Sequence, residues 1–365
     1  MLRRMVMFLV GVGVLMGLAA GCAPQATPTS KPAATAVKMH KVGMLVRLLG
    51  DRSAWDSMAR GIEWANERLP NIEGKVFEHQ DTGEMELTGR ALADEGYELV
   101  ISYGYDVVDW MSNLAEQYPN THFFVLGGMP PERANLSGGD FKEHEGCFTV
   151  GIAAGMLTKT GKVGFVGGMD IPIINRFRLG YEQGVHYVDP TIEVVTGWVG
   201  EFIDPTKGKE LALLQFQEGV DIVFHAAGKS GEGVLAAAAE EGRFAIGVDS
   251  DQCWIYPGSV ITSMIKNMDM VVFNKCQELS EGALESGIEY WGLAEGLVGS
   301  CYLYDYDEEF ITRGPEDMVG EFEAEVIPAM EKAVEAIRAG EFCVSDIMEV
   351  FPCDKPPPEG VVGRQ

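Results

Sequence analysis

Basic residues are scarce in this 365-residue sequence, where 28 lysines and arginines face 55 aspartates and glutamates. The formal net charge of -27 offers no basic surface for phosphates, which argues against a nucleic-acid partner. The six histidines are scattered, and none has a serine or cysteine partner in a recognisable nucleophile motif. No CxxC or HExxH spacing indicates a metal site. We therefore expect a protein without catalytic residues, metal or cofactor.

The apolar run at residues 5–18 is too short for an ordinary membrane span and follows two arginines. It leads into Ala-Ala-Gly-Cys, which resembles the box at which bacterial lipoproteins are cleaved and acylated, here at Cys22. We expect residues 1–21 to be a lipoprotein signal peptide and 22–39 to be a flexible tether rich in Pro, Thr and Ala. The protein would be lipid-anchored to the cell membrane on its extracytoplasmic face. An ordinary signal peptide with an incidental cysteine is the alternative.

Seven cysteines are present, of which Cys22 would carry the lipid. The other six allow fifteen disulfide pairings in an exported protein. Cys343 and Cys353 flank a short C-terminal segment and are the first expected pair. Buried free thiols are the alternative for the rest.

Strand-like apolar runs alternate with segments of helical period over residues 41–126 and again over 162–285. Such alternation predicts an α/β fold with parallel sheets covered by helices on both faces. Residues 132–145 show little periodicity and are expected to connect two similar lobes. Ser53 is expected to cap the first helix. The next helix after the connection is expected at 148–157.

The predicted N-terminal lobe covers residues 40–145 plus about 265–289, and the C-terminal lobe covers 146–264 plus about 290–365. A deep cleft between two such lobes is the natural place for a small ligand.

Two carboxylates follow the buried strand at residues 244–248. Asp249 and Asp251 stand directly after it, where ligands bind at the carboxyl ends of parallel strands. Carboxylates there can accept hydrogen bonds from paired hydroxyls such as those of a sugar ring. A turn that caps the next element is the alternative interpretation.

Four segments carry a resemblance to a known family: TKTGKVGFVGGMDIP at 158–172, DPTKGKE at 204–210, AIGVDSDQ at 245–252 and TSMIK at 262–266. They resemble the basic membrane protein family (Bmp/Med, purine nucleoside receptor-like) of ABC-transporter substrate-binding lipoproteins. The resemblance implies the type I periplasmic-binding-protein fold, with two doubly wound parallel-sheet lobes and a hinged cleft. It also implies a purine nucleoside as ligand, with ABC permease and ATPase subunits as partners.

The resemblance assigns roles to four residues. Asp249 matches the aspartate that holds ribose hydroxyls, and Lys266 matches a lysine near the same ribose. Phe224 lies at the end of a strand where the family has a stacking aromatic, and Gly228 belongs to the turn that approaches the ligand. Tyr105, just after another strand, is a further candidate, with a structural role as the alternative.

Two departures from the family pattern concern the base. The family places a stacking Phe in its first turn, but this sequence has Ala54 there, followed by Trp55. Trp55 can supply the stacking face from a shifted position, or it can be a core residue of the helix. The family also often has an Asp where Gly127 stands here. Ribose recognition is therefore expected to be kept and base recognition to be altered.

The same first turn contributes Asp51, Ser53 and Asp56 as further candidate ligand-binding residues. Asp56 can replace the carboxylate that is missing at Gly127 by accepting a hydrogen bond from the base.

Two functions fit these observations. The first is a monomeric receptor that delivers a nucleoside or related ribose-containing compound to an importer. The second is a ligand sensor of the same fold that signals to a membrane partner without transport. A smaller sugar-like ligand, such as a free pentose, is the alternative for either one.

Overall fold

The structure, a computed structural model, describes residues 38–304 and 309–362. The expected signal peptide, Cys22 and nearly all of the tether lie outside these ranges. None of the helices in the described ranges is long and apolar enough to cross a membrane.

Within these ranges the structure has twelve strands. In chain order they are β1 His40–Val46, β2 Ile72–Glu78, β3 Leu99–Tyr103, β4 His122–Leu126, β5 Leu136–Phe141, β6 Lys162–Gly167, β7 Glu193–Trp198, β8 Ile222–Ala226, β9 Phe244–Asp249, β10 Val260–Lys266, β11 Gly287–Trp291 and β12 Val298–Ser300.

The same ranges contain eleven α-helices. They are α1 Ala54–Arg68, α2 Thr82–Asp94, α3 Val108–Gln117, α4 Glu143–Leu157, α5 Pro172–Val188, α6 Pro205–Gln217, α7 Gly231–Glu240, α8 Met268–Glu281, α9 Glu309–Arg313, α10 Glu316–Glu321 and α11 Ile327–Arg338.

The strands form two six-stranded sheets, with the orders β11-β5-β4-β3-β1-β2 and β12-β10-β9-β8-β6-β7. Every pair in the first sheet is parallel, and in the second only β12 runs antiparallel to its neighbour β10. Each sheet has an apolar cluster on both faces, as expected for parallel strands covered by helices. The predicted α/β fold with two doubly wound lobes is confirmed.

The chain passes between the two sheets three times, after β5, after β10 and after β11. The crossings place Glu143, at the start of α4, and Lys266, at the end of β10, between the lobes.

The stretch 132–145 is not only a connection. It contains β5, and α4 begins at Glu143 rather than at residue 148. All six residues of β5 are buried, so the strand lacks the alternation that marks a half-exposed strand. A side chain at Gly139 would overlap the ring of Trp291, which explains a glycine that weakens the strand pattern.

The C-terminal region adds a covalent link. Cys343 and Cys353 form a disulfide, which confirms the predicted pair. The other cysteines in the described part of the chain, Cys147, Cys253, Cys276 and Cys301, are buried and free.

Candidate ligand-binding site

Two loops meet where the carboxyl ends of β1 and β9 face each other. The Ser53 hydroxyl donates a 2.6 Å hydrogen bond to Oδ2 of Asp249, at the end of β9. The carbonyl oxygen of Arg52 accepts from Ser250 Oγ at 3.0 Å and from Gln252 Nε2 at 2.8 Å. The two lobes therefore touch directly at this point, and Asp249 lies at the contact.

Both loops hold a residue in the left-handed backbone region. Arg52 has φ 51° and Asp249 has φ 65°, and Glu349 is the third such non-glycine residue in the described ranges. This conformation costs free energy in an L-residue and persists where the surrounding structure enforces it, often at ligand sites. Two of the three strained positions thus face each other across the cleft.

Lys266 lies beneath Asp249 and is almost completely buried. Its ammonium is 3.1 Å from Asp249 Oδ1, 3.3 Å from the Tyr103 hydroxyl and 3.7 Å from Glu143 Oε1. Burial alone would lower the pKa of Lys266, but Asp249, Tyr103 and Glu143 together raise it above its ordinary value. The lysine therefore stays charged at neutral pH.

The carboxylate of Asp249 keeps one oxygen available. Oδ2 accepts from Ser53, while Oδ1 is close to Lys266 without a bond of good hydrogen-bond geometry. Oδ1 can accept from a further donor, because a carboxylate oxygen offers more than one acceptor position.

A second ion network adjoins the first. The buried guanidinium of Arg176 on α5 donates through Nη1 to Asp140 Oδ2 and Glu143 Oε2, each at 3.0 Å. Tyr105, which is partly exposed, donates to the same Asp140 oxygen at 2.8 Å. Burial raises the pKa of Glu143 to about 7, with Asp140 acting in the same direction and Lys266 and Arg176 opposing.

Trp55 lies beside this charged centre. Its ring meets Tyr103 edge to face, with centroids 5.3 Å apart and planes at 85°. The indole is half-buried, so it packs on the first lobe and also leaves part of its surface accessible. Trp55 and Lys266 therefore contact the same tyrosine.

The two carboxylates of the first turn, Asp51 and Asp56, accept hydrogen bonds from the backbone of the same turn. Asp51 accepts from the backbone N–H groups of Ser53, Trp55 and Asp56, and burial raises its pKa to about 6. Asp56 accepts from the N–H groups at positions 50 and 52. Ser53 is the N-cap residue of α1 as expected, but its hydroxyl bonds Asp249 rather than the N–H groups of the helix.

Phe224 lies away from this centre. It is fully buried in the core of the second lobe, with ring centroids 5.7 Å from Phe165 and 5.2 Å from Tyr181. The structure thus places it in the core rather than at the cleft, because strand β8 is covered on that face by α5.

Gly228 adopts φ 54° in the turn after β8 and lies next to Phe202. A side chain at Gly168, the residue after β6, would also overlap the Phe202 ring. Phe202 therefore covers the carboxyl ends of β6 and β8. No sequence pattern singles out Phe202, since it stands in a loop without any periodicity.

Four other residues of the centre were also missed: Tyr103, Asp140, Glu143 and Arg176. Carboxylates beside the crossing between lobes were a signal for Asp140 and Glu143. For Arg176, inside a helix of ordinary pattern, the sequence holds no such signal.

A cavity of about 200 Å³ adjoins Asp249 and Lys266. Arg60, Trp64 and Trp254 complete much of its wall. Ser53, Trp55 and Tyr103 do not line this cavity, so it adjoins the Asp249–Lys266 pair from the side of α1 and α8.

Beneath the same loop, Cys253 and Cys301 have their sulfur atoms 4.0 Å apart, with Asp251 Oδ1 3.5 Å from Cys301. In the described part of the chain this is the one group whose spacing could hold a metal ion. It offers three ligand atoms, one fewer than a closed structural zinc site has.

A family model described as "ABC transporter substrate-binding protein PnrA-like" matches residues 39–317. Basic membrane protein A1 of Borrelia garinii subsp. bavariensis is 33% identical over 271 residues, 72% of this chain and 80% of that protein. Basic membrane protein A of Borreliella burgdorferi is 33% identical over 272 residues, 72% of this chain and 79% of that protein.

Solved structures give the same picture. A solute-binding protein of an ABC transporter system from Aeropyrum pernix K1 aligns with a TM-score of 0.74 and 29% identity, covering 84% of this chain and 93% of that one. One from Conexibacter woesei, at 20% identity and a TM-score of 0.66, covers 84% and 99% and supports the fold alone. The type I periplasmic-binding fold expected from the resemblance is confirmed.

Proposed function

The chain belongs to the family of PnrA-like ABC transporter substrate-binding proteins, and on that premise we propose that it binds a purine nucleoside or a related ribose-containing ligand between its lobes. This family consists of substrate-binding proteins rather than enzymes. The nucleoside, the residues that hold it and the membrane anchor are the parts that we propose.

One observation carries the proposal: the buried pair of Asp249 and Lys266 lies at the contact between the lobes. Asp249 would accept hydrogen bonds from the ribose hydroxyls, and Lys266 would donate to a ribose oxygen. Hydrogen bonds to charged groups are roughly twice as strong as neutral ones. An analogue that lacks a hydroxyl would leave a buried carboxylate oxygen unpaired, which supplies specificity.

Aromatic side chains support the proposal that the ligand carries a purine base. Trp55 would stack on the purine from the first lobe, and Phe202 lies above the strand ends of the second. Stacking on an aromatic ring is worth about 1–3 kcal/mol per base. Tyr105, held by Asp140, offers a partly exposed phenol for the edge of the base.

Asp51, Asp56 and Gly228 would act through the shape of their turns. The two carboxylates are already bonded to backbone N–H groups, so we propose that they place Ser53 and Trp55 rather than contact the base.

For the whole protein we propose a monomer, anchored by an acylated Cys22 on the extracytoplasmic face of the cell membrane. It would deliver its ligand to ABC permease and ATPase subunits. The sensor alternative predicts that cells lacking this chain still import the nucleoside at the normal rate.

The test is a thermal-shift screen of the purified full chain against purine nucleosides, free purine bases and pentoses, followed by isothermal titration calorimetry. A ligand at 100 times its Kd stabilises the folded state by about 2.7 kcal/mol, which is readily visible. We expect nucleosides to bind and their 2′- and 3′-deoxy analogues to bind more weakly. If no compound in the three classes shifts the unfolding temperature, the proposal is wrong.

A smaller sugar-like ligand would need only Asp249 and Lys266, because it has hydroxyls and no base. If free pentoses bind as tightly as nucleosides, the protein is a sugar receptor and the aromatic residues are structural.

A further inference from the structure

The disulfide closes a short loop behind the candidate site. We call residues 343–353 the C-terminal loop; they lie beyond residues 39–317, the part matched by the family model. Cys343 and Cys353 have their Cα atoms 5.5 Å apart. Ser345 fastens the loop to α5, because its N–H and carbonyl groups both bond the side chain of Gln183.

Asp346 is the one carboxylate of this loop that is buried. Its Oδ1 accepts from Arg176 Nε at 2.9 Å, and its Oδ2 is 3.3 Å from Nη2. The same carboxylate also accepts N–H groups from positions 348, 350 and 351 of its own loop. The loop backbone thus orients Asp346, and Asp346 accepts hydrogen bonds from one edge of the Arg176 guanidinium.

Phe351 covers the guanidinium from the same loop. Its ring centroid is 5.1 Å from Arg176 Cζ, and it stacks on His144 at 5.4 Å. Arg176 is therefore enclosed, with one edge on Asp346 and its Nη1 on Asp140 and Glu143. Because a guanidinium is planar and rigid, fixing one edge fixes the direction of the others.

We propose that Asp346 is a positioning residue for the ligand site, acting through Arg176 on the carboxylates Asp140 and Glu143. These carboxylates in turn hold Tyr105 and Lys266, which reach the cleft. The inference rests on the proposed function, because Asp346 can affect affinity only if a ligand binds at this site. The contacts that link Asp346 to Lys266 are present in the structure in either case.

Removal of the negative charge of Asp346 is expected to lower the pKa of Glu143. Charged and titratable groups face Glu143 from every neighbouring element: Asp140, Lys266, Arg176, Tyr103, Tyr105 and, on its own helix, Cys147. Arg176 is shared between Asp346 and this set. Without Asp346 its charge acts on Glu143 more fully, so Glu143 ionises at lower pH. A loop that merely covered the protein would have no such effect.

The test compares Asp346→Asn with Glu349→Gln in the full chain. Glu349 is an exposed residue of the same loop, so its variant makes the same charge change away from Arg176. We expect Asp346→Asn to weaken ligand binding at least about fivefold, the low end of typical coupling between sites, and to move the pH midpoint of affinity downwards. Glu349→Gln should change neither the affinity nor its pH midpoint. Asp346→Glu should bring both quantities part of the way back to the parent values.

Unaltered affinity and an unaltered pH midpoint in Asp346→Asn would overturn the proposal. Should that variant fail to fold, a Cys343→Ser/Cys353→Ser protein, which keeps Asp346 but frees the loop, is expected to show the same changes to a smaller degree. If the parent protein binds no nucleoside or pentose, the proposed function fails instead. The pH dependence of unfolding, compared between ligand-free parent and Asp346→Asn, then still tests the link to Glu143.

Discussion

Asp249→Asn is the sharpest perturbation of the candidate site. Asparagine tolerates the left-handed backbone that Asp249 adopts at φ 65°, and it keeps the size of the side chain. It removes the negative charge beside Lys266. An alanine at the same position would add backbone strain, so asparagine isolates the loss of charge.

The magnitude follows from the contacts of Asp249. Removal of one charge from a buried ion pair that also contacts the ligand costs about 2–5 kcal/mol of binding. We expect about 2–4 kcal/mol here, because the asparagine side chain still offers an oxygen to Ser53; this equals an affinity lower by about 30- to 900-fold. Folding stability should fall by less than the roughly 3–5 kcal/mol of a broken buried pair, since Lys266 keeps Glu143 at 3.7 Å.

Calorimetry measures the affinity, and denaturant unfolding measures the stability. Asp170→Asn is the matched control, because Asp170 is an exposed residue at the same edge of the second sheet. Parent-like affinity in Asp249→Asn would remove Asp249 from the site. Equal weakening in both variants would point to overall charge rather than to the pair with Lys266.

Four other changes have defined outcomes. Trp55→Ala should weaken nucleoside binding by about 1–3 kcal/mol in calorimetry and leave ribose binding unchanged. Equal weakening of the binding of both ligands would show that Trp55 has a structural role. Ser53→Ala removes a hydrogen bond to Asp249 of about 1.5–3 kcal/mol, so small-angle scattering of ligand-free protein should give a larger radius of gyration. The raised pKa of Glu143, about 7 against an ordinary 4.5, means that its contribution to stability is complete below pH 4.5 and is lost as pH rises to about 7. Denaturant unfolding of Glu143→Gln should lack this loss, and parallel pH profiles would contradict it. Cys22→Ser should no longer partition into detergent, and mass spectrometry should show the lipid only on the parent protein; unchanged partitioning would refute the anchor.

Much of the fold followed from local pattern. Strands buried on both faces and helices of regular period leave patterns within short stretches of sequence. The two lobes and most of their strands and helices could therefore be predicted. Strand β5 could not, because its two central glycines and full burial erase the period. Its place in the sheet depends on Trp291, about 150 residues away in the chain.

The candidate site divides in the same way. Asp249 and Lys266 are the last residues of β9 and β10, so the strand pattern for Asp249 and the family resemblance for Lys266 could place them at the carboxyl ends of the strands. Arg176 and its partner Asp346 are 170 residues apart, and no local pattern links them. For Phe224 the resemblance predicts a position at the cleft, but Tyr181 on α5 packs against its ring in the core.

In the proposed site, closure of the lobes and ligand binding would both use Asp249. The Ser53 hydroxyl donates to Oδ2, so a ligand hydroxyl that used this oxygen would replace one hydrogen bond with a similar one. The net gain from that exchange is small, because folding or binding that trades equivalent bonds changes the free energy little. Oδ1 is different, since it has Lys266 nearby but no bond of good geometry. A ligand hydroxyl placed on Oδ1 would add a bond without breaking the contact between the lobes, so this oxygen is where discrimination between ligands should arise.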